Sequence, residues 1–147
     1  MTCVAVIPAR GGSKRIPGKN IRDFAGRPMI AHSIAAAVAS RLFSRVIVST
    51  DDPSIMDIAR AHGAEVPFTR PAAIANDTAT TDAVIQHALD WLEEHDTLPA
   101  QACCLYATAP FVRAEDLVRG FDILRTTHAT TAFSVTSFAY PIFRALK

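Results

Sequence analysis

Val4-Ala5-Val6-Ile7-Pro8-Ala9-Arg10-Gly11-Gly12-Ser13-Lys14-Arg15-Ile16-Pro17-Gly18-Lys19-Asn20 begins as an uninterrupted apolar run and turns into a loop of glycines and cations. Val4 to Ile7, closed by Pro8, contains no polar side chain, which is how a strand buried on both faces reads. A strand of this kind needs helices above and below it. The rest of the sequence supplies them.

Downstream of the loop, Pro28 opens a stretch in which Met29, Ile30, Ile34, Ala37 and Val38 recur at helical spacing. Arg45 to Thr50 holds Val46, Ile47 and Val48, a second buried strand. Asp52 before Pro53 predicts an N-cap with proline at the first helical position, and Gly63 marks the stop of that helix. Glu65 to Phe68 reads as a third, shorter strand. After a polar segment from Thr69 to Thr81, the stretch Asp82 to His95 places Ile85, Ala88, Leu89 and Leu92 on one helical face. Ala102 to Tyr106 is predicted as a fourth strand, Glu115 to Thr127 as a helix containing Gly120, and Thr131 to Val135 as a fifth strand. Strands alternating with helices of this length predict an α/β domain with a mainly parallel sheet. Such sheets bind ligands at the carboxyl ends of their strands, here the loops after Ile7, Thr50, Phe68 and Tyr106.

The 147 residues are half apolar, enough for the core of one domain, and show no linker, repeat or low-complexity segment. A formal net charge of +1 with 20% charged residues gives no overall field for nucleic acid or an anionic membrane. No apolar run approaches the roughly 20 residues of a membrane helix. The start lacks the basic, then apolar, pattern of a signal peptide, so a cytoplasmic protein is expected. Cys3, Cys103 and Cys104 are odd in number and lack CxxC spacing, which points to buried thiols rather than disulfides or zinc ligands.

Local charge is another matter. Arg10, Lys14, Arg15, Lys19, Arg22 and Arg27 fall within one short stretch opposed only by Asp23. Gly11, Gly12 and Gly18 let backbone N–H groups turn toward an anion, Lys14 and Lys19 act as point charges, and Arg10 offers a planar fork to phosphate oxygens. The loop is not a GxxxxGK[ST] Walker loop, because Gly12 and Gly18 enclose five residues and Asn20 follows Lys19 in place of a hydroxyl. A GxGxxG fingerprint is also absent. A solvated basic loop is the competing reading; position at a strand's carboxyl end favours phosphate binding.

Ile7 to Asn20 resembles the signature loop of the sialic-acid-type cytidylyltransferases, which join CMP to neuraminic, legionaminic or pseudaminic acid. Ser13-Lys14-Arg15 and Asn20 fit this branch better than the related 3-deoxy-octulosonate enzymes. Ser49-Thr50-Asp51-Asp52 and the segment Arg70 to Thr81 are similar to the family as well. The resemblance implies a Rossmann-like three-layer nucleotidyltransferase fold. It implies that Ala9, Arg10, Asn20, Arg70, Ala79 and Thr81 line the cytidine, with Ser13, Lys14 and Lys19 toward the triphosphate and Gly11 and Gly12 in the nucleotide loop. From the residues alone, the Arg70 to Thr81 segment reads equally well as an ordinary capped loop. Asp52 reads as a helix cap, and Asp51 as structural or as a ligand contact.

Cys104-Leu105-Tyr106-Ala107-Thr108-Ala109-Pro110-Phe111 bears on the sugar. Where neuraminic and legionaminic acid enzymes have a glutamine that touches the sugar, this sequence has Tyr106, and the stretch resembles the pseudaminic acid enzymes. Ser134 to Ala145 has the same look. Tyr106 and Thr108 are therefore expected at the sugar; the competing reading is a tyrosine that merely ends a core strand. A flat ring with one hydroxyl selects a different sugar face from an amide.

The implied reaction is attack of the sugar's anomeric hydroxyl on the α-phosphorus of CTP with release of pyrophosphate, Arg10, Lys14 and Lys19 neutralising phosphate charge. Mg²⁺ and a homodimer belong to the same expectation. The family's members run past residue 147, with their magnesium-binding aspartates and further sheet strands there, so this domain is expected to be incomplete and no metal ligand is assigned within it. His32, His62, His87, His95 and His128 read as structural or solvated rather than as a general base.

Overall fold

In a computed structural model, the structure describes residues 2–96 and 98–137. A three-stranded parallel sheet forms its centre, in the order β4-β1-β5, with β1 at Cys3–Pro8, β4 at Arg45–Ser49 and β5 at Gln101–Cys104. The register runs from Val4 opposite Arg45 to Pro8 opposite Ser49, and from Cys3 opposite Gln101 to Val6 opposite Cys104. The expected α/β class with a parallel sheet is what forms.

Because successive strand residues point to opposite faces, β1 feeds two cores at once. Ala5 and Ile7 join Val46 and Val48 on one side. There they meet Ile30, Ile34 and Ala37 of α1 (Met29–Ser40), Ile55 and Ala59 of α2 (Pro53–Ala61), and Leu117 of α4 (Ala114–Thr127). Val4, Val6 and Ile47 face the other side and pack on Ala88 and Leu92 of α3 (Thr81–His95). The result is three layers, helix, sheet and helix. Each fully buried Ile, Val or Leu contributes about 1.5–3 kcal/mol, which makes β1 the segment on which stability depends most.

The caps follow the local chemistry. Asp52 is the N-cap of α2, its Oδ1 accepting from the backbone N–H of Ser54 at 2.8 Å and of Ile55 at 3.2 Å, with Pro53 at the first helical position. Thr80 caps α3 by accepting from Ala83 N–H at 3.2 Å. Between the first loop and α1 lies a small antiparallel hairpin, β2 (Asp23–Phe24) with β3 (Arg27–Pro28), that periodicity did not predict. Nor did it predict the short 3-10 turns Lys19–Ile21 and Ala72–Ile74.

Two expected strands differ. Glu65 to Phe68 reduces to one bridge: Glu65 donates to the Val46 carbonyl and accepts from Val48 N–H, both at 2.8 Å. The next donor owed to this parallel ladder would come from residue 67, and Pro67 has no N–H. Thr131 to Val135 forms no strand either. Phe133 and Val135 are each 82% exposed, and an apolar alternation with no neighbouring strand among the described residues has neither a ladder nor a face to bury there. The expected strand Ala102 to Tyr106 starts and stops slightly earlier. Leu105 still donates to the Val6 carbonyl at 3.1 Å and, with Ala107, enters the first core. The part of the Ser134 to Ala145 stretch from residue 138 onward lies outside the described residues.

Candidate functional site

The carboxyl ends of β1 and β5 and the amino end of α3 surround a cavity of about 550 Å³. From the first loop come Arg10, Ser13, Lys14, Lys19 and Asn20, from the segment before α3 come Arg70, Ala79 and Thr81, and from the end of β5 come Tyr106 and Thr108. Residues far apart in sequence, expected at cytidine, triphosphate and sugar, thus line one cavity.

The first loop is held at both ends. Asn20 is buried and donates through Nδ2 to the Arg10 carbonyl at 2.9 Å, closing the loop on itself. Gly18 has φ +62°, a left-handed conformation that glycine adopts without a Cβ penalty, and its carbonyl accepts from Ile21 and Arg22 N–H at 3.0 and 2.9 Å. Lys19 therefore leaves from a fixed turn rather than a free loop.

Gly11 has a different reason to be glycine from the one the sequence suggests. Its N–H donates to Asp51 Oδ1 at 3.0 Å, and a Cβ there would stand 2.5 Å from Asp52 Oδ2. The loop after Thr50 is consequently a buttress for the first loop and does not line the cavity. Ala9 is buried in the core, its N–H donating to the Ser49 carbonyl at 3.0 Å. Ala9, Gly11 and Gly12 are not among the lining residues.

Arg70 is 4% exposed, and among the described residues its guanidinium meets no carboxylate directly. Nε donates to Ser49 Oγ at 3.1 Å and Nη2 donates to the Ser49 carbonyl. Burial lowers the Arg70 pKa, nearby Asp51 opposes the shift and Arg10 adds to it. Keeping a cation here costs desolvation, and the ligand-facing wall gains a rigid positive group in return.

Tyr106 joins two parts of the wall. Its carbonyl accepts from the fully buried Ser33 hydroxyl at 2.8 Å, and its Oη lies 3.1 Å from Thr81 Oγ1. With its backbone fixed on α1 and its side chain 55% exposed, Tyr106 presents a ring to the cavity edge rather than ending a core strand.

A family model described as "Cytidylyltransferase" matches residues 4–142. The chain belongs to the cytidylyltransferase family. A protein of Campylobacter jejuni named pseudaminic acid cytidylyltransferase is 41% identical over 145 residues, which cover 99% of this chain and 62% of that protein. A CMP-N,N'-diacetyllegionaminic acid synthase of Legionella pneumophila is 39% identical over 137 residues, 93% of this chain and 57% of that protein. Among solved structures, CMP:2-keto-3-deoxy-manno-octonic acid synthetase complexed with CTP superposes with a TM-score of 0.70 at 29% identity, covering 88% of this chain and 49% of that one. The chain spans about three-fifths of the length of these curated relatives.

The cavity of this cytidylyltransferase-family chain also contains a residue that the sequence reading passed over. Asp77 accepts from Arg10 Nη1 at 2.5 Å through Oδ1 and pairs with Lys14 Nζ through Oδ2. Lys14 and then Arg10 hold its pKa below the usual carboxylate range. A carboxylate within the Arg70 to Thr81 segment, in a chain whose first loop is rich in cations, was the available signal. As for magnesium, the described residues contain no group of three His, Cys, Asp or Glu side chains that could hold a metal ion, and Asp77 is already engaged by two cations. These residues do not by themselves compose a magnesium site. None of the five histidines lines the cavity.

Proposed function

We propose that this chain forms the nucleotide-gripping part of a cytidylyltransferase that transfers CMP from CTP to the anomeric hydroxyl of pseudaminic acid. The observation that carries the reading is the cavity at the sheet's carboxyl end, whose lining combines Arg10, Lys14 and Lys19 with Tyr106. In this reading Arg10, Lys14 and Lys19 hold the triphosphate while Ser13, Asn20, Arg70, Ala79 and Thr81 bound the nucleotide. The sugar hydroxyl gives up its proton to solvent as its oxygen forms a bond to the α-phosphorus, the bond from that phosphorus to the bridging oxygen breaks, and pyrophosphate leaves. Charge that grows on the leaving group is met by cations already in place, which is the usual source of catalysis in phosphoryl transfer.

Tyr106 and Thr108 stand at the sugar in this proposal, and the Tyr-Ala-Thr-Ala-Pro-Phe stretch supports pseudaminic acid. The 39% identity to a legionaminic acid enzyme supports a second reading, the same chemistry on a legionaminic or neuraminic acid. Magnesium bound with the triphosphate, a homodimer and a cytoplasmic location complete the proposal. Among the described residues, no helix is long and apolar enough to cross a membrane.

Titration calorimetry with CTP, followed by pyrophosphate release with pseudaminic, legionaminic and N-acetylneuraminic acid in turn, tests the reading. Release with pseudaminic acid in excess of the others is expected. Preference for another acid replaces the sugar, CTP binding without release leaves a nucleotide-binding fragment, and no CTP binding overturns the proposal.

A further inference from the structure

Among the described residues, Asp77 is the only acidic side chain lining the cavity, whose lining also includes Arg10, Lys14, Arg15, Lys19 and Arg70. Its backbone is set locally by Asn76, whose Oδ1 accepts from Thr78 N–H at 3.0 Å and Ala79 N–H at 2.9 Å and whose Nδ2 donates to the Ala73 carbonyl at 2.9 Å. From that fixed turn the carboxylate reaches across 67 positions to Arg10 and pairs with Lys14 as well. These are two of the three cations assigned above to the triphosphate. In the free chain, then, two carboxylate oxygens occupy donors that two phosphate oxygens would use.

Resting on the nucleotide reading above, we infer that Asp77 is a displaceable internal anion that competes with the polyphosphate of CTP for Arg10 and Lys14 and thereby sets how tightly the site holds CTP and pyrophosphate. The Asp77 and Lys14 side chains are 42% and 82% exposed, so neither pair is shielded from water and each stabilises the free site only weakly. A polyphosphate carries several charges against one and takes the cations over. Asp77 then remains beside the bound ligand as a like charge, which weakens the complex. The same repulsion acts on pyrophosphate and favours its release. The internal pairing also ties the first loop to the segment before α3 while no ligand is present.

Asp77→Asn removes the charge and retains the side chain's shape. Calorimetry with CTP, pyrophosphate and cytidine on the unaltered chain and on this variant tests the inference. The variant is expected to bind CTP and pyrophosphate roughly three- to tenfold more tightly, the sum of two exposed pairs, with the gain shrinking in high salt and cytidine affinity unchanged. Asp77→Ser is expected to show the same tightening. Equal or weaker polyphosphate binding, or a loss of cytidine binding that marks Asp77 as structural, overturns the inference. If the unaltered chain binds neither CTP nor pyrophosphate, the nucleotide reading itself fails; if it binds both and neither variant tightens, that reading stands and the role of Asp77 falls.

Discussion

Replacing Gly11 by alanine isolates the contact on which the first loop rests. An added Cβ would stand 2.5 Å from Asp52 Oδ2, 2.8 Å from Asp52 Cβ and 3.0 Å from its Cγ. Asp52 cannot swing aside freely, because Oδ1 caps α2 through Ser54 and Ile55 and its own N–H donates to Thr50 Oγ1 at 3.1 Å. Relief must therefore come from giving up the cap, at about 1 kcal/mol, or from shifting the loop, at about 1–3 kcal/mol. A cost of about 1–3 kcal/mol follows, which in a chain of this size lowers the melting temperature by roughly 3–12 °C. Urea titration of Gly11→Ala measures this directly. The same substitution in an Asp52→Gly background separates clash from other causes, since glycine is tolerated at an N-cap and removes all three offending atoms. There the cost of Gly11→Ala should drop below about 1 kcal/mol. A Gly11→Ala chain within about 0.5 kcal/mol of the unaltered protein, or an equal cost in both backgrounds, refutes the reasoning.

Lys19→Ala should lower sugar-dependent pyrophosphate release roughly a hundred- to a thousand-fold while leaving the thermal transition in place, because Lys19 lines the cavity and sits in no core cluster; near-normal turnover removes it from the mechanism. Burial, aided by the neighbouring Cys3 and Cys104, pushes the Cys103 thiol from its ordinary value near 9 up to about 11. At pH 8 iodoacetamide should therefore modify Cys103 in the folded chain far more slowly than in urea, and equal rates would contradict it. The sign for stability follows: because the folded chain keeps this proton longer, its contribution is intact below pH 9 and is lost as pH rises toward 11, read as a falling urea midpoint.

Much of the fold was legible because its signals are local. Val4 to Ile7 and Val46 to Val48 announce buried strands by composition alone, and Asp52-Pro53 announces a helix start in two residues. The position of the cationic loop, at the end of the first strand, was legible for the same reason. Its internal division of labour was not. That Gly11 serves Asp51 and Asp52 depends on a contact 40 positions away, and that Asp77 engages Arg10 on one 67 positions away. No periodicity carries such information. The shortened third strand was legible in principle, since Pro67 removes a donor that the ladder needs. Thr131 to Val135 was not, because its alternation suits a strand while the described residues place no neighbour beside it.

Pro67 has one more consequence. Beyond β4, the sheet's rim is occupied by Glu65, and because the nitrogen of residue 67 faces β4 and cannot donate, the ladder on that side stops after a single bridge. The opposite rim, along β5, has no such stop among the described residues. The two rims thus differ among the described residues: one tapers to a single bridge, while Gln101–Cys104 presents the edge of a whole strand.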